Sequence, residues 1–221
     1  MSSADPLGRA FFARDAETVA RDLLGCVITT GREGERVAVR LTEVEAYRGA
    51  ADPASHAFRG KTPRNAVMFG PAGHLYLYFV YGMHWCANIV TGRPGAASAV
   101  LLRAGQIIEG IDVARERRPA ERSERRLASG PARLAGVLGW GSGEAAGAAN
   151  GGDLCADDGP GAIFGLPPSE PPPVIATGPR VGVAAAAEVA LLFWISGDPT
   201  VSAYRRRVPR TENGTRKPFP G

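Results

Sequence analysis

Residues 74–88 read HLYLYFVYGMHWCAN, and this stretch decides the reading of the fold. Leu75 to Val80 and His84 to Val90 are runs of apolar and aromatic residues joined by Tyr81-Gly82-Met83, and two such runs around a glycine predict a β-hairpin. Side chains alternate across a strand, so Tyr76 and Tyr78 share one face. Tyrosine within a sheet is common, and packing accounts for Tyr76. Tyr81 differs, because turns normally carry polar residues or glycine.

Outward from the hairpin, Asp15 followed by Ala16 to Leu24 and Gly25 predicts a helix with a side-chain cap and a glycine stop. Cys26 to Thr30 and Val37 to Tyr47 read as an antiparallel pair around residues 31–34. Residues 48–73, rich in Gly, Pro, Asp and Asn, form a long surface loop, where sites usually sit. Downstream, Ala99 to Arg103 reads as a short strand, and Gln106 to Arg118 and Pro131 to Leu138 as helices. Residues 139–173 read as an irregular excursion, and Arg180 to Val183 and Leu191 to Ser196 as closing strands. The expectation is an α+β fold: one mixed domain over 1–207, with a curved, largely antiparallel sheet, a protruding β-hairpin and surrounding helices. A basic, disordered tail over 208–221 follows, and no internal repeat is present.

The 221 residues are 44% hydrophobic and 22% charged, as in an ordinary soluble protein. The opening residues lack the basic, apolar and small-residue pattern of a secretory leader. Val183 to Ile195 is too short to span a bilayer and contains Glu188. A cytoplasmic location and no membrane association are therefore expected. Three cysteines (Cys26, Cys86, Cys155) and three histidines (His56, His74, His84) show no ligand spacing, so no metal, cofactor or disulfide framework is expected. The net charge of +4 and pI of about 9.2 permit a nucleic-acid partner without requiring one. Lysine occurs only at Lys61 and Lys217.

The strand Leu41-Thr-Glu-Val-Glu-Ala-Tyr47 should place Leu41, Glu43, Glu45 and Tyr47 on one face. Two carboxylates and a phenol there read either as the solvated face of an edge strand or as a carboxylate poised to take a proton from water. Arg103 ends an apolar run, and inside the fold its guanidinium needs a carboxylate: Glu43 or Glu45. His56, alone in the long loop, is more often structural than catalytic. A protruding aromatic at position 81 suits a wedge entering a base stack, and Tyr47 with Tyr78 could wall an extruded base.

These segments, TEVEAY at 42–47, the run from Ala54 to Val90, AVLLRA at 99–104 and SGP with Ala132-Arg133-Leu134, resemble in order the alkyladenine (3-methyladenine) DNA glycosylases. The resemblance extends from about Phe12 to about Arg207, and Leu41 to Asn88 carries most of its specificity. It implies a monofunctional DNA glycosylase of base excision repair, acting as a monomer on double-stranded DNA with damaged purines, without cofactor or lyase step. By the resemblance, Glu45 activates the attacking water, and Arg103 helps hold that water, with the backbone carbonyl of Val181 as a weaker candidate. Tyr47, His56 and Tyr78 form the base pocket, and Asn88 borders it, excluding normal guanine through its exocyclic amino group. Tyr81 intercalates, with Met83 beside it. Two positions depart from the family pattern: His84, a tyrosine in some relatives, and Leu192, where an arginine is usual.

Three rival functions remain distinguishable. A glycosylase with lyase activity needs an amine for a Schiff base, which here leaves Lys61, Lys217 and the terminal amine. A non-catalytic binder of distorted DNA would have no use for Glu45 and Arg103 together. A hydrolase of free nucleosides would have none for the aromatic tip and basic surface.

Overall fold

The computed structural model describes residues 5–32, 34–80, 82–166 and 171–204. Helix α1 (Arg9–Phe12) precedes α2 (Ala16–Leu23), whose cap Asp15 accepts a hydrogen bond from the Thr18 amide. Gly25, with φ +89°, then turns the chain into β1 (Val27–Thr30), which pairs with β2 (Val37–Tyr47). The hairpin follows as β3 (Leu75–Val80) and β4 (His84–Thr91), and then β5 (Ser98–Glu109). Three helices follow, α3 (Ile111–Arg117), α4 (Glu124–Leu127) and α5 (Pro131–Val137).

The sheet runs β3-β4-β5-β2-β1-β6, with β6 formed by Ala162–Phe164, and all these pairings are antiparallel. Two further strands, β7 (Ile175–Gly178) and β8 (Leu192–Ile195), attach through β8 to β2. The result is the expected mixed fold, a single domain with a curled antiparallel sheet and surrounding helices. Phe12, Leu23, Leu41, Leu102, Leu134 and Phe193 are among its buried core.

Strand β2 is the pivot. Its first half, Val37 to Arg40, pairs with β1, and Glu43 to Glu45 pair with β8 on the same edge. On the other edge, against β5, the register slips between Leu41 and Val44, so that Thr42 and Arg103 have no cross-strand partner. A slipped residue reverses the alternation of faces. Val37, Val39 and Leu41 point into the core, and beyond the slip Val44 and Ala46 do so instead. The expectation that Leu41 shares a face with Glu43 and Glu45 is thereby corrected. Thr42 is absorbed by a hydroxyl–hydroxyl contact with Thr200 at 2.9 Å.

Other expectations also change. Gln106 to Glu109 is strand rather than the start of a helix, because it pairs with Ala38 to Arg40, and Arg40 donates to the Gln106 side chain. Arg103 accordingly lies within a strand and does not end one. The irregular region 139–173 contains α6 (Gly143–Ala149) as well as β6. The closing strand is Ile175–Gly178; Pro179, which has no amide to give a ladder, precedes Arg180, and 180–183 is loop. The long loop carries two 3-10 turns, Gly49–Ala51 and Pro63–Phe69. The tail at 208–221 lies outside the described residues.

The change from β5 to α3 depends on Gly110, whose φ is +76° and where an added Cβ would lie 2.0 Å from the Arg36 carbonyl oxygen. Gly110→Ala should cost at least about 1–3 kcal/mol from backbone strain. Thermal unfolding should show it as a Tm lowered by at least about 2 °C. An unchanged Tm would mean that the turn rearranges freely.

Candidate active site

The face reversal in β2 gathers the ionisable groups. Glu43, Glu45 and Tyr47 follow the slip at alternate positions, and the unpaired Arg103 of β5 reaches between the two carboxylates. Its Nε donates to Glu43 Oε1 at 2.8 Å, and its Nη1 lies 3.1 Å from Glu45 Oε1. The open choice of partner for Arg103 is thus resolved as both. Neither carboxylate is solvated: Glu45 is fully buried and Glu43 is 2% exposed.

Glu45 Oε1 also accepts from the Val181 amide at 2.7 Å, and Oε2 accepts from the Tyr47 hydroxyl at 2.8 Å. Val181 thus meets Glu45 through its N–H. A carboxylate has about four lone-pair positions. Hydrogen bonds from the Val181 amide and the Tyr47 hydroxyl use one on each oxygen, which leaves one on Oε2. Burial raises the Glu45 pKa above its ordinary value, although Arg103 and the Val181 amide oppose the shift. Burial also raises the Tyr47 hydroxyl well above the usual range, and the Glu45 charge adds to this. Tyr47 is therefore a hydrogen-bond donor at neutral pH.

Glu43 has a separate set of partners, the amide of Ser202 at 2.7 Å and its hydroxyl at 3.0 Å. No sequence signal connects Ser202 to Glu43 across 159 residues. The contact requires β8 to return the chain beside β2.

Tyr47 and Val181, which hold Glu45, also line a cavity of about 700 Å³. Its other walls include His56, Tyr76, Tyr78 and Asn88, so the structure brings the expected pocket residues together. Tyr76 and Tyr78 are stacked with centroids 5.8 Å apart, and His56 meets Tyr78 edge-on at 4.4 Å. Tyr76, read from sequence as packing alone, is both buried and a cavity wall. Its hydroxyl lies 3.4 Å from His56 Nδ1. Burial, with the nearby Arg64 charge, lowers the His56 pKa, so the ring is neutral at pH 7. The Asn88 amide nitrogen donates to the Tyr76 carbonyl.

Asn65 positions the His56 loop. Thr62 and Asn65 form a reciprocal cap on the second 3-10 turn, and Asn65 Nδ2 donates to the carbonyls of His56 and Gly60. The Thr-Pro-x-Asn spacing at 62–65 was a legible capping signal. Asp52 and Arg180, missed in the sequence, form a buried ion pair behind Tyr47.

At the hairpin end Met83 is 68% exposed and His84 is also exposed. Tyr81 lies outside the described residues. Leu192 is buried in β8 opposite Glu45, so that departure falls in the interior rather than on a DNA-facing surface. Among the described residues no cluster of potential metal ligands occurs, and no helix is long and apolar enough to cross a membrane.

The family model for methylpurine-DNA glycosylase matches residues 10–199. A protein of Streptomyces avermitilis assigned by name as a 3-methyladenine DNA glycosylase is 50% identical over 206 residues, covering 93% of this chain and 94% of its own. Proteins with the same assignment from Nocardia farcinica and Burkholderia lata are 49% and 45% identical, each covering at least 87% of both chains. A match of this extent, over a fold whose pivot strand carries the site, makes the chain a member of the methylpurine-DNA glycosylase family.

Proposed function

We propose that this protein is a monofunctional DNA glycosylase that draws a damaged purine out of duplex DNA and hydrolyses its N-glycosidic bond. The observation that carries the reading is Glu45: a fully buried carboxylate held by Arg103, the Val181 amide and Tyr47, with a lone pair left on Oε2. A base within a duplex is out of reach, so the nucleotide must be extruded into the cavity. There Tyr47 and Tyr78 stack on the base, and neutral His56 offers it a ring nitrogen or N–H. Asn88, buried against the floor, excludes guanine by its exocyclic amino group.

Water held by Glu45 Oε2 and Arg103 attacks the deoxyribose anomeric carbon while the C–N bond breaks. Glu45 takes the water proton, and the bonding electrons leave with the purine. An N-alkylated purine is a cation and departs as a neutral base, whereas a deaminated purine needs protonation of its ring. The negative carboxylate also stabilises the oxocarbenium-like sugar, as in glycosidases.

Lys61 does not line the cavity; its amine lies 5.9 Å from the Phe69 ring centre. That supports hydrolysis without a Schiff base. The test uses duplexes carrying 3-methyladenine, ethenoadenine or hypoxanthine. The expected result is free base and an intact abasic strand, with activity insensitive to a chelator. Tight lesion binding without base release would identify a binder, strand cleavage a lyase, and activity on free nucleosides alone a nucleoside hydrolase.

Tyr81 is assigned here as the wedge that fills the vacated stack, beside exposed Met83. A base–aromatic contact contributes on the order of 1–3 kcal/mol. Tyr81→Ser should therefore leave Tm nearly unchanged and slow hypoxanthine excision from duplex roughly tenfold or more, sparing single strands. A large Tm loss with unchanged duplex excision would make Tyr81 a packing residue.

A further inference from the structure

Behind the Tyr47 wall lies a charge pair that the proposed chemistry does not use. The side chains of Arg180 and Asp52 are 0% and 2% exposed. Arg180 Nη1 and Nη2 both donate to the Asp52 carboxylate, and Nη1 also donates to the Ala46 carbonyl at 3.1 Å. Asp52 in turn accepts from the amides of Arg48 and Ala54, which fixes it in the loop leading to His56. The Arg180 guanidinium carbon lies 4.6 Å from the Tyr47 ring centre. Tyr47 lines the cavity, whereas Arg180 and Asp52 do not, so the guanidinium backs the ring from the protein side.

An apolar side chain would support the ring equally well, and a buried ion pair is weak evidence for stability alone. Electrostatics gives this one a purpose. The faces of an aromatic ring attract cations. A bare guanidinium behind Tyr47 would repel a second cation stacked on the other face, across a medium of low dielectric. Bidentate Asp52 cancels that charge while leaving the guanidinium in place as a rigid backing. The Asp52 pKa is held below its ordinary value: burial raises it, but the Arg180 bonds and the loop amides outweigh burial. The pair thus stays charged at neutral pH.

We propose that the Asp52–Arg180 pair determines specificity, setting the charge behind Tyr47 so that the cavity accepts cationic N-alkylated purines alongside neutral ones. The proposal rests on the reading of Tyr47 as a base-stacking wall. It is tested by the ratio of 3-methyladenine release to hypoxanthine release from duplexes under single-turnover conditions. If one lesion is released too slowly to follow, the affinity of its duplex in a Glu45→Gln background replaces its rate.

Asp52→Asn should lower the cationic-to-neutral ratio roughly tenfold, because the guanidinium is no longer neutralised. Arg180→Gln, which leaves the carboxylate, should raise it. The double variant should return it to within about twofold of the parent, since both charges are gone. Opposite signs are the signature, and a merely structural pair would slow both lesions together. If one single variant fails to fold, the other and the double variant still read the ratio. Unchanged ratios, or shifts of the same sign in both single variants, overturn the proposal. Release of neither base by the parent protein would instead overturn the glycosylase reading.

Discussion

Glu45→Gln should bind lesion-containing duplex and release almost no base. A general base contributes about 10²–10⁴-fold to such a step, and loss of the charge facing the sugar adds to this. The fold should survive. The glutamine oxygen can still accept from the Val181 amide, its nitrogen can donate to the Tyr47 oxygen, and Arg103 keeps Glu43. Replacing a desolvated carboxylate by a neutral isostere also removes a burial cost. The control is Glu43→Gln. Glu43 is bound by Ser202 and Arg103, neither of which lines the cavity, whereas Tyr47 and Val181 connect Glu45 to it. Near-normal single-turnover rates in Glu45→Gln with inactive Glu43→Gln would falsify the assignment and make Glu43 the base. In the parent protein the raised Glu45 pKa should bring the acid limb of the rate profile above the ordinary glutamate range, because the rate falls as the carboxylate takes up a proton.

Arg103→Met should have a large effect on both folding and catalysis. The guanidinium bridges two buried carboxylates, and removing one partner of a buried ion pair costs about 3–5 kcal/mol. The direction with pH follows from Glu45. Burial already raises its folded pKa, and the loss of Arg103 raises it further. A carboxylate with a raised folded pKa opposes folding once pH exceeds its unfolded value of about 4.3, so the Tm deficit should be greater at pH 7 than near pH 5. The acid limb of residual activity should also move to higher pH. Thermal melts and rate profiles from pH 5 to 8 read both effects. An unshifted limb with normal stability would show that Arg103 does not govern the proton affinity of Glu45.

The sequence by itself determined several local elements and named candidates for the site. Asp15 and Gly25 bound a helix because a short side chain can cap free amides and glycine tolerates a left-handed φ. The tyrosine-rich runs on either side of Gly82 form a hairpin because alternation and turn chemistry are properties of neighbouring residues. Glu45, Tyr47, Tyr78 and Arg103 were legible as candidates because an acid, phenols or an arginine on an apolar strand demands partners, whereas His56 and Asn88 entered through the family resemblance. Tertiary structure decided which partners. The register slip at Thr42 turns Glu43 and Glu45 out of the face that Leu41 occupies, and a slip depends on pairing with β5 and β8, not on the strand's own alternation. Gln106 to Glu109 became strand for the same reason: its pairing with β2 overrides a helical reading of the isolated segment. Ser202 on Glu43, the Val181 amide on Glu45 and Arg180 on Asp52 join residues more than a hundred positions apart. Hydrogen bonds act over about 3 Å, and only the folded chain brings such distant residues within that range.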